Sequence, residues 1–208
     1  MSAPEFSRYD ADQARGLRAT VEEIYRRSYV EAIASGELFD SPTEFMARFD
    51  AYTEPHRTRG FELVIARVDG EPAGQAWGWP LGPNAGWWRG LRLDSGDVGE
   101  FTAENGFRTF ALSEIMVCEE YAGHGLGHAL HDELLRARPE RRATLLVEPD
   151  NLRAYNAYRK WGWERVGSLQ PSWPGAPSLD VLIRELPAAT GSHTHHQAVR
   201  RGRGESDG

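Results

Sequence analysis

The sequence predicts an α+β domain, and three stretches carry that prediction. Segments of alternating apolar residues flank Asp69-Gly70, a dipeptide typical of the tight turn of a β-hairpin. An apolar run ending at Val117 leads through closely spaced glycines into a helical pattern, which indicates a strand, a loop and a helix. The last two apolar segments, Trp163 to Leu169 and Leu179 to Leu186, are typical of a closing antiparallel pair. We expect one domain over residues 1–187.

Length and composition fit one domain and disfavour several classes of protein. The chain has 208 residues, 40% hydrophobic and 26% charged, which is enough to build a sizeable core. Its net charge of −7 disfavours nucleic acid and anionic membranes as partners. No apolar run approaches the ~20 residues of a membrane span, and the N-terminus lacks a secretory pattern. The single cysteine, Cys118, fits a cytoplasmic protein.

The first sixty residues predict an edge strand and two helices. The strand is expected at Glu5–Tyr9, and a helix then runs from Asp10 or Asp12 to about Ala34, where Gly36 ends it. A second helix starts at the capping pattern of residues 41–44, Ser-Pro-Thr-Glu. One face of that helix is an apolar stripe, which we interpret as core and alternatively as an acceptor pocket: Phe45, Met46, Phe49 and Tyr52.

The middle of the chain predicts a hairpin and a long connection. Phe61–Val68 and Glu71–Pro80 are the two hairpin strands, and Arg108–Val117 is the central strand. Between them, residues 82–108 form a polar connection that is unusually long for a compact domain. Connections of this length are either functional or disordered, and this one mixes carboxylates with tryptophans.

The glycine-rich turn after the central strand predicts a phosphate site. Gly123, Gly125 and Gly127 lie at the start of a predicted loop and helix over Gly123–Arg138. The first N–H groups of a helix lack partners and favour anions. A P-loop would need Lys and Ser or Thr where His128 and Ala129 stand. A dinucleotide fingerprint needs another glycine spacing within repeated βαβ units. Taken alone, the turn could also be a plain strand-to-helix connection.

A second block follows at ordinary separation. Thr144–Glu148 is predicted as a strand and Asp150–Trp161 as a helix capped by Asp150 or Asn151. From residue 188 onward the chain has no apolar periodicity, so 188–208 is expected to be a disordered tail.

Both blocks resemble the GNAT acetyltransferases. The turn, Ala122-Gly-His-Gly125-Leu-Gly127, is similar to the family's pyrophosphate loop, except that Ala122 replaces the usual Gln or Arg. The second block matches the family pattern at Asn151, Ala154, Tyr158, Lys160, Gly162 and Trp163. The resemblance implies an α/β/α arrangement, in which helices flank a mixed, mostly antiparallel sheet that splays apart at an acyl-CoA site.

The resemblance also implies where acetyl-CoA would bind and which residues would act. The strand backbone would hold the pantetheine arm, the glycine turn would hold the phosphates, and Asn151 would contact the pantetheine region. The implied donor site is Ile115, Met116, Val117, Ala122, Gly123, His124, Gly125, Leu126, Gly127, His128, Asn151 and Tyr158. Tyr158 would be the general acid, because a phenol is protonated at neutral pH; the alternative is one more aromatic residue of the core.

Glu114 is the candidate general base. Strand alternation places it on the same face as Leu112 and Met116. An acid in a buried strand is costly without a partner or a task, so the alternative is a structural ion pair.

The acceptor is expected to be an amine of a small molecule or a peptide. Trp79, Glu100 and Glu104 are candidate acceptor residues, because carboxylates attract a protonated amine and aromatic rings bind cations. The alternative is that the 82–108 connection is a solvated acidic loop. The predicted activity is acetyl transfer from acetyl-CoA by a monomer or homodimer. The alternative is a catalytically silent acyl-CoA-binding module on the same fold.

We expect no metal site. Three histidines, His124, His128 and His131, share a helix start without an apparent fourth ligand, so they should lie near the ligand or face solvent. A second group, His193, His195 and His196, lies in the predicted tail.

Overall fold

Eight strands form one mixed sheet in the computed structural model, which describes residues 2–55, 59–171 and 177–187. The strands are β1 (Glu5–Tyr9), β2 (Glu62–Val68), β3 (Glu71–Pro80), β4 (Leu91–Leu93), β5 (Thr109–Val117), β6 (Arg142–Val147), β7 (Glu164–Leu169) and β8 (Leu179–Glu185). The helices are α1 (Ala11–Gly16), α2 (Arg18–Ser28), α3 (Val30–Ser35), α4 (Pro42–Thr53), α5 (Val98–Thr102), α6 (Leu126–Leu135) and α7 (Leu152–Lys160). The predicted tail with its three histidines lies outside the described residues.

The sheet is antiparallel except at its centre. Its strand order is β1-β2-β3-β5-β6-β8-β7-β4, and only β5 and β6 pair in parallel. That pairing covers three residues of each strand, from Thr109 to Ala111 and from Arg142 to Thr144. The two strands separate beyond that point, so the predicted α+β fold with a splayed central sheet is confirmed.

Local sequence signals account for the hairpin and for two helix starts. Asp69 and Gly70 have φ values of 53° and 86°, the left-handed pair that a two-residue hairpin turn requires. The Ser41 side chain accepts a hydrogen bond from the Glu44 N–H, 3.2 Å, and caps α4. Asp10 forms a reciprocal capping box with Gln13 at the start of α1.

The predicted helix between Asp10 and Ala34 is broken into three. The backbone leaves the helical conformation at Leu17 and Tyr29. Gly16, a poor helix former, precedes the first break. Before the second break, the Ser28 hydroxyl donates to the Ile24 carbonyl, 2.7 Å, a contact that bends helices. The second break places Tyr29 on the surface of a cleft that is described below.

Two hydrophobic cores separate the layers. Helices α1 to α4 pack on one face of the sheet around Trp77, and α6 packs on the other face around Leu130 and Leu134. Three residues of the α4 stripe, Phe45, Met46 and Phe49, are at most 2% exposed, so that stripe belongs to the core. Among the described residues, no helix has the length and hydropathy needed to cross a membrane.

The connection over residues 82–108 is more ordered than its sequence suggests. It contains a 3-10 turn at Gly86–Trp88, strand β4 and helix α5. Strand β4 pairs with β7 at the edge of the sheet. Arg108 donates to the carbonyls of Glu100 and Ala103, 2.7 and 2.9 Å, and ties the end of α5 to the start of β5.

Candidate active site

The separation of β5 from β6 opens a cleft of about 760 Å³. Its walls come from the second half of β5, the turn before α6, one side of α7 and the junction of α2 with α3. Within the described ranges, β6 does not pair with β5 beyond Ala111. Backbone N–H and C=O groups on that side of β5 can therefore bind an extended ligand, as they would another strand.

The start of α6 forms one end of this cleft. Gly123 and Gly125 have φ values of 80° and 82°, a conformation that other residues rarely adopt. No side chain of the described residues caps the helix, and its first internal hydrogen bond runs from the Ala129 N–H to the Gly125 carbonyl, 3.1 Å. The N–H groups of the three residues between them have no partner in the helix. This end of the cleft therefore favours an anionic group.

Most of the predicted donor residues line this cleft. They are Ile115, Met116, Val117, Ala122, Gly123, Gly125, Leu126, Gly127, Asn151 and Tyr158. Asn151 is also the N-cap of α7, and its side-chain oxygen accepts from the Ala154 N–H, 3.2 Å. Its amide nitrogen remains available to a ligand.

Two predicted donor residues have their side chains elsewhere. His124 lines a separate cavity of about 420 Å³ beside Pro4 and Val68. The ring of His128 stacks on Trp161, with centroids 4.9 Å apart and planes at 11°. Only the backbone of His128 therefore belongs to the anion-binding end.

Glu114 and Leu112 lie on opposite faces of the sheet, whereas simple alternation along β5 predicts that they share a face. Trp77 pairs with Glu114 while Gly78 pairs with Leu112, so Ser113 is an extra residue in β5. This β-bulge reverses the alternation. Glu114 consequently shares its face with Met116 and Ala111, towards α2 and α4, and the placement of Leu112 beside it was wrong.

The Glu114 carboxylate has no hydrogen bond or ion pair with any residue in the described ranges. Burial raises its pKa to about 7, although the charge of Arg48 acts in the opposite direction. A carboxyl group with this pKa is partly ionised at neutral pH, as a general base requires.

The charge of Glu114 acts on two tyrosines that line the cleft, Tyr158 and Tyr29. Tyr158 lines the cleft and meets Trp161 edge-to-face, with centroids 5.5 Å apart. Burial, with a smaller contribution from the charge of Glu114, raises the pKa of Tyr158. The same two causes raise the pKa of Tyr29, which also lines the cleft and stacks on Tyr25 at 5.0 Å. Both phenols are therefore proton donors at neutral pH.

Sequence reasoning missed Tyr29, because it continues the helical spacing from Tyr25 to Ile33 and resembles one more core residue. It also missed other residues that line the cleft, among them Ser28, Arg153 and Trp161. The exposed α7 residue Arg153 gave no periodic signal, and Trp161 follows the end of a helix. Only their position on the wall of the cleft identifies them.

The predicted acceptor residues do not line the cleft. Glu104 is 8% exposed, and its Oε1 accepts hydrogen bonds from Thr109 Oγ1, Trp88 Nε1 and Arg142 at 2.7, 3.1 and 3.2 Å. Trp79 is also 8% exposed and packs between Tyr52 and Trp87. Glu100 is exposed on α5. The burial of Glu104 and its pairing with Arg142 give it a structural role instead.

His131 is fully buried, contrary to the expectation that it faces ligand or solvent. Its Nδ1 lies 2.8 Å from Asp132 Oδ1, and its Nε2 accepts from Trp163 Nε1 at 3.0 Å. Burial lowers its pKa to about 4, against the opposing influence of Asp132. His128, His131 and Asp132 have ligand-type atoms within 4.8 Å of one another, yet both nitrogens of His131 already have partners.

Comparison with known proteins defines the class of this fold and site. A sequence model described as the Acetyltransferase (GNAT) family matches residues 19–163. The chain therefore belongs to the GNAT acetyltransferases. Comparison with curated proteins gave no match.

Solved structures share the fold at low sequence identity. A putative GNAT acetyltransferase from Desulfovibrio desulfuricans is 16% identical with a TM-score of 0.60, covering 88% of this chain and 99% of that one. The PaiA N-acetyltransferase from Thermoplasma acidophilum, in complex with coenzyme A, is 12% identical with a TM-score of 0.51 and coverage of 88% and 99%. An aminoglycoside 6′-acetyltransferase type Ii is 14% identical with a TM-score of 0.57 and coverage of 87% and 96%.

Proposed function

We propose that this protein is an N-acetyltransferase that moves the acetyl group of acetyl-CoA directly to a primary amine of a small molecule or a peptide. The observation that carries the proposal is the cleft between β5 and β6, which combines an unpaired strand edge with an uncapped helix start. The strand edge suits the amide groups of a pantetheine arm, and the helix start suits phosphates. The GNAT relative crystallised with coenzyme A supports the choice of donor.

The residues that would hold the donor follow from the lining of the cleft. Backbone groups of Ile115 to Val117 would bind the arm, and N–H groups of Gly125 to His128 would bind the phosphates. Asn151 would donate its free amide nitrogen to the pantetheine region. The donor supplies the activated acetyl group as a thioester.

Glu114 and Tyr158 would divide the proton transfers between them. The acceptor nitrogen loses a proton as it forms its bond to the acetyl carbon, and Glu114 would accept that proton directly or through water. The carbon–sulfur bond then breaks, and Tyr158 would give its proton to the departing thiolate. A pKa of about 7 for Glu114 allows it to accept a proton at neutral pH and to release it afterwards.

A cationic acceptor is part of this proposal. Burial raises the pKa of Glu148, and the charges of Asp150 and Asp40 raise it further. The charges of Asp40 and Glu114 also act on Tyr29, which lines the cleft, so a protonated amine would be attracted to this group of carboxylates. One structural neighbour, the aminoglycoside 6′-acetyltransferase, is named after an amino-sugar acceptor. We further propose a cytoplasmic enzyme, in keeping with the buried free thiol of Cys118.

Release of free thiol from acetyl-CoA, measured with a panel of amines, tests the activity. We expect turnover with cationic amines above the rate without acceptor. Binding of acetyl-CoA without turnover on any amine would favour the silent acyl-CoA-binding module instead.

Gly125→Glu tests the donor site, because it places bulk and like charge at the anion-binding end. We expect calorimetry to detect no acetyl-CoA binding. Gly70→Glu is the matched control, since Gly70 has a similar φ of 86° and equally open surroundings in the hairpin turn. Unchanged affinity in Gly125→Glu would remove the basis of the assignment.

A further inference from the structure

The anion-binding end of the cleft has little positive charge of its own. The residues of the turn that line it, Ala122, Gly123, Gly125, Leu126 and Gly127, carry no charged side chain. Two carboxylates, Glu31 and Glu119, line the same cleft. If acetyl-CoA is the donor, as proposed above, its phosphates meet backbone N–H groups in a cleft with acidic walls. The turn itself offers only backbone dipoles to oppose the repulsion between these carboxylates and the phosphates.

Arg153 is the only lysine or arginine that lines the cleft in the described part of the chain. It lies in the first turn of α7, two residues after Asn151, and its side chain is exposed. The guanidinium forms no hydrogen bond or ion pair with any described residue. By contrast, Arg159 of the same helix donates to the Trp163 carbonyl, 3.2 Å. A free guanidinium on the wall of a cleft can turn towards a ligand without breaking an existing contact.

We propose that Arg153 binds a phosphate of the acyl donor and is the side chain by which this enzyme selects phosphorylated donors over unphosphorylated pantetheine thioesters. Its planar group can donate two hydrogen bonds to one phosphate, and charge-assisted bonds of this kind are about twice as strong as neutral ones. Arg153 thereby supplies the side-chain cation that the glycine turn lacks.

Arg153→Gln tests the proposal with three ligands that differ in their phosphates. Coenzyme A carries a pyrophosphate and a 3′-phosphate, dephospho-coenzyme A only the pyrophosphate, and acetylpantetheine neither. Calorimetry gives Kd for the first two, and thiol release gives kcat/KM for the third. We expect Arg153→Gln to raise the Kd of coenzyme A about 10-fold or more. This Kd should also depend less on salt than it does in wild type. For acetylpantetheine we expect kcat/KM within about twofold of wild type, because no phosphate is present.

Dephospho-coenzyme A distinguishes the two phosphate sources. An equal loss of affinity for both nucleotides assigns Arg153 to the pyrophosphate, and a loss confined to coenzyme A assigns it to the 3′-phosphate. Arg159→Gln is the matched control for a change of one charge on the same helix. The proposal is overturned if Arg153→Gln binds coenzyme A within twofold of wild type, if Arg159→Gln weakens it equally, or if acetylpantetheine suffers the same loss. Wild-type protein that binds no coenzyme A would overturn the proposed function as well.

Discussion

Glu104 and Glu114 are buried or partly buried acids on either side of the start of β5, and they have opposite surroundings. Glu104 accepts three hydrogen bonds through one oxygen, including one from the Arg142 guanidinium. Glu114 accepts none from the described residues and lies at the splayed end of the strand. Thr109, which contacts Glu104, is five residues before Glu114, or about 16 Å along an extended strand.

These different surroundings indicate a structural role for Glu104 and a reactive one for Glu114. The Glu104–Arg142 pair ties the 82–108 connection to the starts of β5 and β6, and the Arg142 guanidinium also lies over the Phe101 ring at 4.2 Å. Glu114 has no hydrogen-bonded cation among the described residues, and burial raises its pKa to about 7 against the opposing charge of Arg48. An unpaired acid inside a domain costs stability, and such groups are concentrated at functional sites.

The same contrast holds between two phenols one turn apart on α7. The Tyr155 hydroxyl donates to Asp180 Oδ2 at 3.1 Å, which joins α7 to β8. The Tyr158 hydroxyl has no partner among the described residues and lines the cleft. A hydroxyl without a partner is free to give its proton to a substrate.

The largest expected effect concerns these phenols. Tyr158→Phe should lower kcat by about 10²–10⁴-fold, because it removes the proton donor for the thiolate. The affinity for acetyl-CoA should stay within about twofold, since the acid acts late in the reaction. Steady-state kinetics and calorimetry measure the two quantities.

Tyr155→Phe is the matched control for that experiment. It removes one part-buried structural hydrogen bond, so kcat should stay within about threefold and stability should fall by about 1 kcal/mol. A kcat of Tyr158→Phe within threefold of wild type would assign the acid role to water or another residue.

The next prediction is that replacing Glu104 and replacing Glu114 change the free energy of unfolding in opposite directions. Glu104→Gln should lower the free energy of unfolding by about 3 kcal/mol, because it leaves the Arg142 charge buried without its counter-ion. Glu114→Gln should raise it by about 1–3 kcal/mol at pH 8, because it removes an unpaired buried charge. Urea unfolding of both variants and wild type measures these changes.

The pH dependence follows from the raised pKa of Glu114. Folding favours its protonated form, so its cost is absent below its ordinary pKa of 4.5 and complete above about 7. The gain in Glu114→Gln should therefore disappear at pH 4.5. A destabilised Glu114→Gln at pH 8 would mean that Glu114 has a structural partner.

Local and family-level features of the fold could be predicted from sequence. Asp69-Gly70 specified a hairpin turn through its own backbone conformation, and Ser41 specified a helix start through a side-chain hydrogen bond to a residue three positions later. The two blocks around Gly125 and Asn151 identified the family and most of the cleft. These features depend on residues that are close together in the chain.

Features that depend on distant contacts could not be predicted. The bulge at Ser113 arises from how β5 pairs with β3, so alternation alone placed Leu112 on the wrong face. Arg142, the partner of Glu104, is 38 residues away in sequence, and nothing in the acidic connection marked it. Tyr29 has the sequence spacing of a core residue, but the break in the helix places it at the cleft.

The pH profile of kcat/KM for wild type, Glu114→Gln and Glu104→Gln tests the role of Glu114 most directly, once each rate is corrected for the neutral fraction of the acceptor amine. In wild type and Glu104→Gln we expect kcat/KM to rise with pH through about 7, where Glu114 ionises in the free enzyme. Glu114→Gln should be about 10²–10⁴-fold slower at pH 8 and should lack this rise. The assignment of Glu114 as the base would be contradicted if kcat/KM of Glu114→Gln rose with pH in the same way. It would also be contradicted if only Glu104→Gln lost activity and the rise with pH.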